Sequence, residues 1–195
     1  TSNGKDLVDY TKANNLYLVD ANHNEFAVTE DEDPNIVNGQ TVSRNEFGIN
    51  GGIFWSPDGK LLAFYRKDES QVGTFPLLDI NSRMGSLREI KYPMAGLKSE
   101  QISLGIYDIA SGKTVFLDVD DFGREQYLTN IAWGPESDYV YVQVLNRAQK
   151  HMRLNQYRAK TGEFVKTLLE EQNEKYIEPL TPVVFLKNDP SKLIY

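Results

Sequence analysis

Residue types able to break bonds are scarce in this sequence. It has no cysteine, which removes thiolate nucleophiles, zinc–thiolate sites and disulfides together. His23 and His151 are the only histidines, and both sit in polar surroundings that read as surface. No serine stands in a Gly-x-Ser-x-Gly turn, and neither a phosphate-binding glycine loop nor a dinucleotide fingerprint occurs. Asp118-Val119-Asp120-Asp121-Phe122-Gly123 has a calcium loop's acidity. However, Phe122 takes a ligand position and Thr129 stands where a bidentate Glu belongs, so the segment reads as a solvated turn. Glu30-Asp31-Glu32-Asp33 reads as a surface loop in the same way. No metal or cofactor is expected, and no catalytic triad. What remains is charge that can bind. Glu46, in Arg44-Asn45-Glu46-Phe47-Gly48, reads from spacing alone as a carboxylate at the start of a short helical turn over 44–49, favoured there by the helix dipole.

The elements that would carry such residues are strands. Eleven tyrosines and nine phenylalanines suit half-buried pleated surfaces better than helix interiors. Asn15 to Asp20, Glu25 to Thr29, Leu61 to Tyr65, Ile102 to Tyr107, Val115 to Val119 and Tyr139 to Val144 alternate apolar and polar residues with period two. A second helical turn is expected over Leu168–Lys175. The net charge of −7 argues against nucleic acid and anionic membrane as partners, because phosphate binding needs clustered Lys and Arg. No stretch approaches the roughly 20 apolar residues that span a bilayer. Thr1-Ser2-Asn3-Gly4-Lys5 has no apolar signal region, so any export signal is expected upstream.

Repetition sets the architecture. Trp55-Ser56-Pro57-Asp58-Gly59-Lys60-Leu61-Leu62-Ala63-Phe64-Tyr65 returns, weakened, as Trp133-Gly134-Pro135-Glu136-Ser137-Asp138-Tyr139-Val140-Tyr141-Val142, and each copy is followed by a second hairpin. Pro57 presets φ at the turn, Asp58 can bond back to the chain, and Gly59 accepts positive φ. The Trp before each turn suits packing between adjacent sheets. One such unit has the size of a propeller blade, roughly 40–50 residues. The expected fold is therefore all-β: a partial β-propeller of four-stranded antiparallel blades, with about two full blades and flanking half-blades. The divisions are a part-blade over 1–42, a blade over 43–122 with an aperiodic insertion at 67–100, a blade over 123–178, and the start of another at 179–195. A closed ring needs about 4–8 blades, so these residues make only part of one. In that setting Arg147 and Gln149 either line the inner face or cap strand ends and pair with acids. The unpaired outer sheets of such a piece, taken alone, are expected to promote self-association.

Six ordered segments carry a family resemblance: Val42 to Ile49, Phe54 to Arg66, Lys91-Tyr92-Pro93-Met94-Ala95-Gly96, Tyr127 to Ile131, Leu145-Asn146-Arg147-Ala148-Gln149 and Tyr176-Ile177-Glu178-Pro179. Together they resemble the propeller of bacterial dipeptidyl peptidase IV and prolyl tripeptidyl peptidase. The resemblance implies a periplasmic or secreted serine exopeptidase that removes N-terminal di- or tripeptides after proline. Its catalytic Ser, Asp and His belong to a C-terminal α/β-hydrolase domain absent from these residues. It also implies that Glu46 holds the substrate's α-ammonium and that a homodimer is possible; Asn45 is a candidate to bond at the same place, and Arg147 is a further substrate-binding candidate if it lines the inner face. The family's mammalian-type pattern has consecutive glutamates where this sequence reads Arg44-Asn45-Glu46, which leaves dipeptide against tripeptide release open. The Tyr92–Gly96 loop is expected to have a packing role. The competing reading is a non-catalytic propeller serving as an interaction scaffold, since repeats alone specify no chemistry.

Overall fold

The structure, a computed structural model, describes residues 6–195; the segment Thr1–Lys5, read above for a signal region, lies outside the described residues. Strands β1 (Leu7–Lys12), β2 (Asn15–Asp20) and β3 (Glu25–Ala27) form a first antiparallel sheet. The second sheet is built on β6 (Leu61–Asp68). On one side β6 pairs with two short strands placed end to end, β4 (Ile36–Asn38) and β5 (Ile53–Trp55). A separate hairpin of β7 (Thr74–Asp79) and β8 (Ser86–Lys91) follows. The second sheet then resumes on the other side of β6 with β9 (Gln101–Asp108) and β10 (Lys113–Phe116). The third sheet runs β11 (Gln126–Trp133), β12 (Tyr139–Asn146), β13 (His151–Arg158) and β14 (Phe164–Gln172) in order. A final pair, β15 (Val184–Leu186) and β16 (Asp189–Ile194), lies against it.

Period two explains why these sheets stack. Along β6, Leu61, Ala63 and Tyr65 enter a core shared with Leu128, Val140, Val142 and Val144 of the third sheet. The alternate residues, Leu62 and Phe64, enter a core shared with Leu16 and Leu18 of the first. On the far face of the third sheet, Tyr141 and Leu154 pack against Val183 and Phe185. A strand buried on both faces reads as a continuous apolar run, and Leu61 to Tyr65 is one. Sheets stacked in sequence, each sharing a core with the next, make a partial β-propeller; none closes into a barrel.

The repeated Trp does more than pack. Trp55 donates its indole N–H to Asp9 of the first sheet at 2.7 Å, and Trp133 donates to the Phe54 carbonyl of the second sheet at 3.0 Å. Each repeat thus ties its own sheet to the preceding one through the same group. The turn that follows is closed by Ser56, whose Oγ accepts from the Leu61 amide at 2.9 Å. Gly59 takes φ +70° there, and Ser137 takes φ +62° in the second copy.

Four expectations need correction. Leu168–Lys175 is not helical: residues 168–172 lie in β14, with Leu169 opposite Leu154. That strand is an exposed edge, so tertiary pairing rather than a local pattern decides its conformation. The insertion at 67–100 is not aperiodic loop. It holds the β7–β8 hairpin, whose two faces are both largely solvated, so no alternation was imposed on its sequence. The strand expected over Val115–Val119 stops at Phe116. The turn expected over 44–49 is displaced and of the opposite hand, as described below.

Close packing between sheets also sets a position the patterns did not mark. A Cβ on Gly105, mid-strand in β9, would lie 2.8 Å from Cζ of Phe64 and 3.1 Å from Phe116. Phe64 is fully buried and its ring has no room to retreat. Gly105→Ala is expected to destabilise the protein by about 1–3 kcal/mol, read as a lower denaturant midpoint at unchanged slope.

Candidate functional site

The edge strand of the second sheet is interrupted, and the interruption builds the site. The chain leaves the ladder after β4 at Gly39 and rejoins it before β5 at Gly52. Both ends meet one residue of β6: the Gly39 amide donates to the Tyr65 carbonyl at 2.8 Å, and the Tyr65 amide donates to the Gly52 carbonyl at 2.9 Å. The ladder stays continuous while residues 40–51 loop out. Only glycine suits these two feet. Gly39 has φ +69°, and a Cβ on Gly52 would lie 2.2 Å from the Gln40 carbonyl oxygen.

Within the loop, Ser43, Arg44 and Asn45 have φ of 51°, 55° and 63°. They form a single left-handed turn closed by the Asn45 amide on the Val42 carbonyl and the Glu46 amide on the Ser43 carbonyl, at 3.1 and 3.0 Å. A right-handed helix start and its dipole are absent here. Left-handed backbone costs about 1–2 kcal/mol per non-glycine residue, so the surroundings must enforce it. Val42 and Ile49, flanking the turn, are buried in the core between the second and third sheets. Phe47 is buried with Leu145, Met152 and Ile177, its ring 4.8 Å from that of Tyr127. Ser43 donates its amide to Glu100 Oε1 at 3.0 Å. Arg44 lies 4.3 Å above the Tyr92 ring and donates to the Lys91 carbonyl at 2.8 Å.

These contacts leave a recess of about 220 Å³ whose walls include Glu46, Arg147, Tyr92, Glu100, Glu125 and Tyr127. Glu46 and Arg147, each a substrate-binding candidate from the sequence, share it. Asn45 does not line it; the residue is exposed and points its backbone into the turn. Gln149 also borders the recess, and its carbonyl accepts from the Ile177 amide at 2.8 Å. Most charges here are already engaged. Glu125 pairs with Lys98 at 2.9 Å, Glu100 holds Ser43, and Arg147 donates to the Tyr127 hydroxyl beneath it. Glu46 differs: among the described residues its carboxylate makes neither hydrogen bond nor ion pair. The recess is smaller than pockets for drug-sized ligands, about 300–1,000 Å³, and suits the end of a chain rather than a whole molecule.

Sequence reasoning did not single out Glu100, Tyr92, Glu125 or Tyr127 as parts of a site. Tyr92 and Tyr127 lie inside segments that carried the family resemblance, which was the one available signal. Three other readings change. Asp31 is no solvated member of an acidic run: it is half-buried and accepts from Arg66 at 2.7 Å and from Asn38 at 2.9 Å. The turn at Asp118–Gly123 is docked rather than solvated, because Asp121 accepts from Asn155 at 2.8 Å and from Arg153 at 3.3 Å. His151 is half-buried, pairs with Glu170 and packs on Phe122 with ring centroids 4.7 Å apart. His23 is exposed, as read. Among the described residues no group of His, Asp and Glu has a metal-holding arrangement, and no helix is long and apolar enough to cross a membrane.

Stacked sheets with a charged recess on an edge-strand loop define a propeller segment. The family description that matches residues 1–195 is "Dipeptidyl peptidase IV (DPP IV) N-terminal region", and the chain belongs to this family. It is similar to a crystal structure assigned as a dipeptidyl aminopeptidase IV from Bacteroides ovatus, with 51% identity and a TM-score of 0.89 over 97% of this chain and 26% of that one. It is also similar to dipeptidyl peptidase 4 of Porphyromonas gingivalis, at 27% identity and a TM-score of 0.86, covering 96% of this chain and 28% of that one. Dipeptidyl-aminopeptidase B of Aspergillus niger is 28% identical over 95% of this chain and 23% of its own length. The chain therefore spans about a quarter of the relatives it matches.

The Asp31 pair allows a pH prediction. Hydrogen bonding from Arg66, opposed by burial and helped by Asn38, holds the Asp31 carboxyl below its usual value. A folded pKa below the unfolded one contributes stability that is present above the unfolded value near ~3.9 and is lost as pH falls. Asp31→Asn is expected to lower the melting temperature at neutral pH and to flatten the acid limb of the stability curve. Melts at a series of pH values from neutral to acid check both.

Proposed function

We propose that this chain is the part of a serine exopeptidase that recognises a peptide's free N-terminus and gates access to the reaction centre. Glu46 receives the α-ammonium. Its unengaged carboxylate in a recess of about 220 Å³ is the observation that carries this reading. An α-amino group with pKa near ~7.7–8.0 is cationic at neutral pH, and a charge-assisted hydrogen bond to a carboxylate is shorter and stronger than a neutral one. An acetylated or internal peptide bond offers no such charge, so Glu46 selects chain ends. Arg147, fixed over Tyr127, forms the wall that orients the following residues. Asn45 contributes through the turn's backbone rather than through its side chain.

Bond cleavage then falls to a C-terminal α/β-hydrolase domain of the same protein, acting after proline on N-terminal di- or tripeptides, and these residues are inactive without it. The kinship with dipeptidyl peptidases supports this division of labour, and a periplasmic or secreted location goes with it. The blade divisions 1–42, 43–122, 123–178 and 179–195 belong to the same proposal, with Ile36–Asn38 lending its edge to the second sheet. The competing reading, an interaction scaffold without catalysis, draws on the β7–β8 hairpin, where Ile80 is 82% and Met84 93% exposed. A homodimer through such a surface is compatible with either reading. A Gly-x-Ser-x-Gly motif in the continuing reading frame decides for the peptidase.

In that peptidase, Glu46→Gln is expected to lower kcat/KM for prolyl substrates with a free N-terminus by about tenfold or more. The wild-type advantage over the variant should shrink as pH rises through about 8, where the substrate amine loses its charge. Steady-state kinetics across that range is the check, and equal values for the two proteins would remove Glu46 from recognition.

A further inference from the structure

The left-handed turn that presents Glu46 is gripped from one side by a single insertion, and we propose that Glu100 and Tyr92 are positioning residues for the recognition carboxylate. The inference rests on the amine-binding reading of Glu46 and deepens it.

Four observations converge. Ser43, the first left-handed residue, gives its amide to Glu100 Oε1 at 3.0 Å, a charge-assisted bond at the residue where the unfavourable backbone begins. Arg44, the second, lies 4.3 Å above Tyr92 and bonds the Lys91 carbonyl. These partners stand at the base of the same arm, because Lys91 ends β8 and Glu100 directly precedes β9. The base is itself locked: the Tyr92 amide donates to the Gly73 carbonyl at 3.0 Å, Lys91 Nζ donates to the Val72 carbonyl at 3.0 Å, and Phe75 of β7 lies 6.0 Å from the Tyr92 ring.

The exposed part of the turn has no other hold of this kind. Val42, Phe47 and Ile49 anchor its flanks in apolar cores, but Arg44, Asn45 and Glu46 are all exposed. Without the arm's grip, three consecutive left-handed residues would relax toward the ordinary region, and the Glu46 carboxylate would leave the recess. Glu100 therefore spends its charge on the backbone of the turn, so its proximity to Glu46 adds no second free anion for the substrate. The arm's path from Phe75 through Tyr92 and Arg44 to Glu46 makes substrate recognition depend on an element that contributes no atom to the amine itself.

The test uses the intact peptidase that contains this chain. Glu100→Ala and Tyr92→Leu should each raise KM for free-N-terminus peptides about three- to tenfold, with kcat held within about twofold. Glu100→Gln retains a carbonyl oxygen for the Ser43 amide and Tyr92→Phe retains the ring, so both should restore KM to near wild type. Added to Glu46→Gln, Glu100→Ala should have no further effect, because the two act on one contact. Independently of any activity, amide hydrogen exchange across Ser43–Phe47 should accelerate in Glu100→Ala and not in Glu100→Gln. Unchanged exchange in Glu100→Ala overturns the clamp. A KM change that is additive with Glu46→Gln, or wild-type KM in Glu100→Ala while Glu46→Gln is impaired, does so as well. Loss of exchange protection in Glu100→Ala together with unimpaired Glu46→Gln would instead keep the clamp and sink the amine-binding reading.

Discussion

A strand buried on both faces has no freedom of register, and β6 is such a strand. Leu61, Ala63 and Tyr65 fill one core while Leu62 and Phe64 fill another. A slip of one residue would exchange the two sets and leave neither core packed. Everything that pairs with β6 inherits this constraint. Gly39 and Gly52 both bond to Tyr65, so the two feet of the 40–51 loop are set by the residue that also reaches across to the third sheet. There the Tyr65 hydroxyl donates to the Leu128 carbonyl at 2.8 Å. Burial pushes that phenol above its usual pKa, which favours the neutral hydroxyl that donates here.

The site is a strained segment held by buried flanks. Ser43, Arg44, Asn45 and Phe47 are all left-handed, at a cost of about 1–2 kcal/mol each, while full burial of a single Val, Ile or Phe contributes about 1.5–3 kcal/mol. Val42, Phe47 and Ile49 are all buried around the turn, so burial at the flanks offsets much of the strain, and the contacts of Ser43 and Arg44 with Glu100 and Tyr92 supply the rest of the hold. Arg44 and Arg147 line the same recess as the Glu46 carboxylate. Here Arg44 is committed to Tyr92 and Lys91, and Arg147 to Tyr127. Among the described residues the Glu46 carboxylate is left without a partner, as the proposed amine-binding role requires.

Legibility in the sequence followed burial. Leu61–Tyr65 and Tyr139–Val144 were readable as strands because both faces meet a core and their residues are almost all apolar, a continuous run rather than the period-two alternation expected. The Trp-Ser-Pro-Asp-Gly turn was readable because its backbone demands particular residues. Glu46 was singled out through family likeness, whereas nothing in the sequence placed Arg147 on the same recess. The β7–β8 hairpin escaped notice because solvent on both faces removes any period. The handedness of the Ser43–Asn45 turn was illegible for a different reason. None of the three is glycine, so nothing local announces positive φ, and its cause lies in Glu100, Tyr92 and the cores under Val42 and Phe47. Asn45 was placed beside Glu46 by adjacency in sequence, yet a left-handed turn sends neighbouring side chains in different directions. Glu100 looked like one more surface acid, and only its approach to the Ser43 amide gives it a task.

Capture of a peptide amine by Glu46 is a matter of geometry, so a crystal structure of the protein with a prolyl peptide bearing a free N-terminus tests it most directly. The terminal nitrogen should lie within hydrogen-bonding distance of the Glu46 carboxylate, inside the recess walled by Tyr92, Tyr127 and Arg147, with Ser43 to Asn45 still left-handed. A peptide whose amine is bound elsewhere, with Glu46 paired to Arg44 or Arg147 instead, would contradict it.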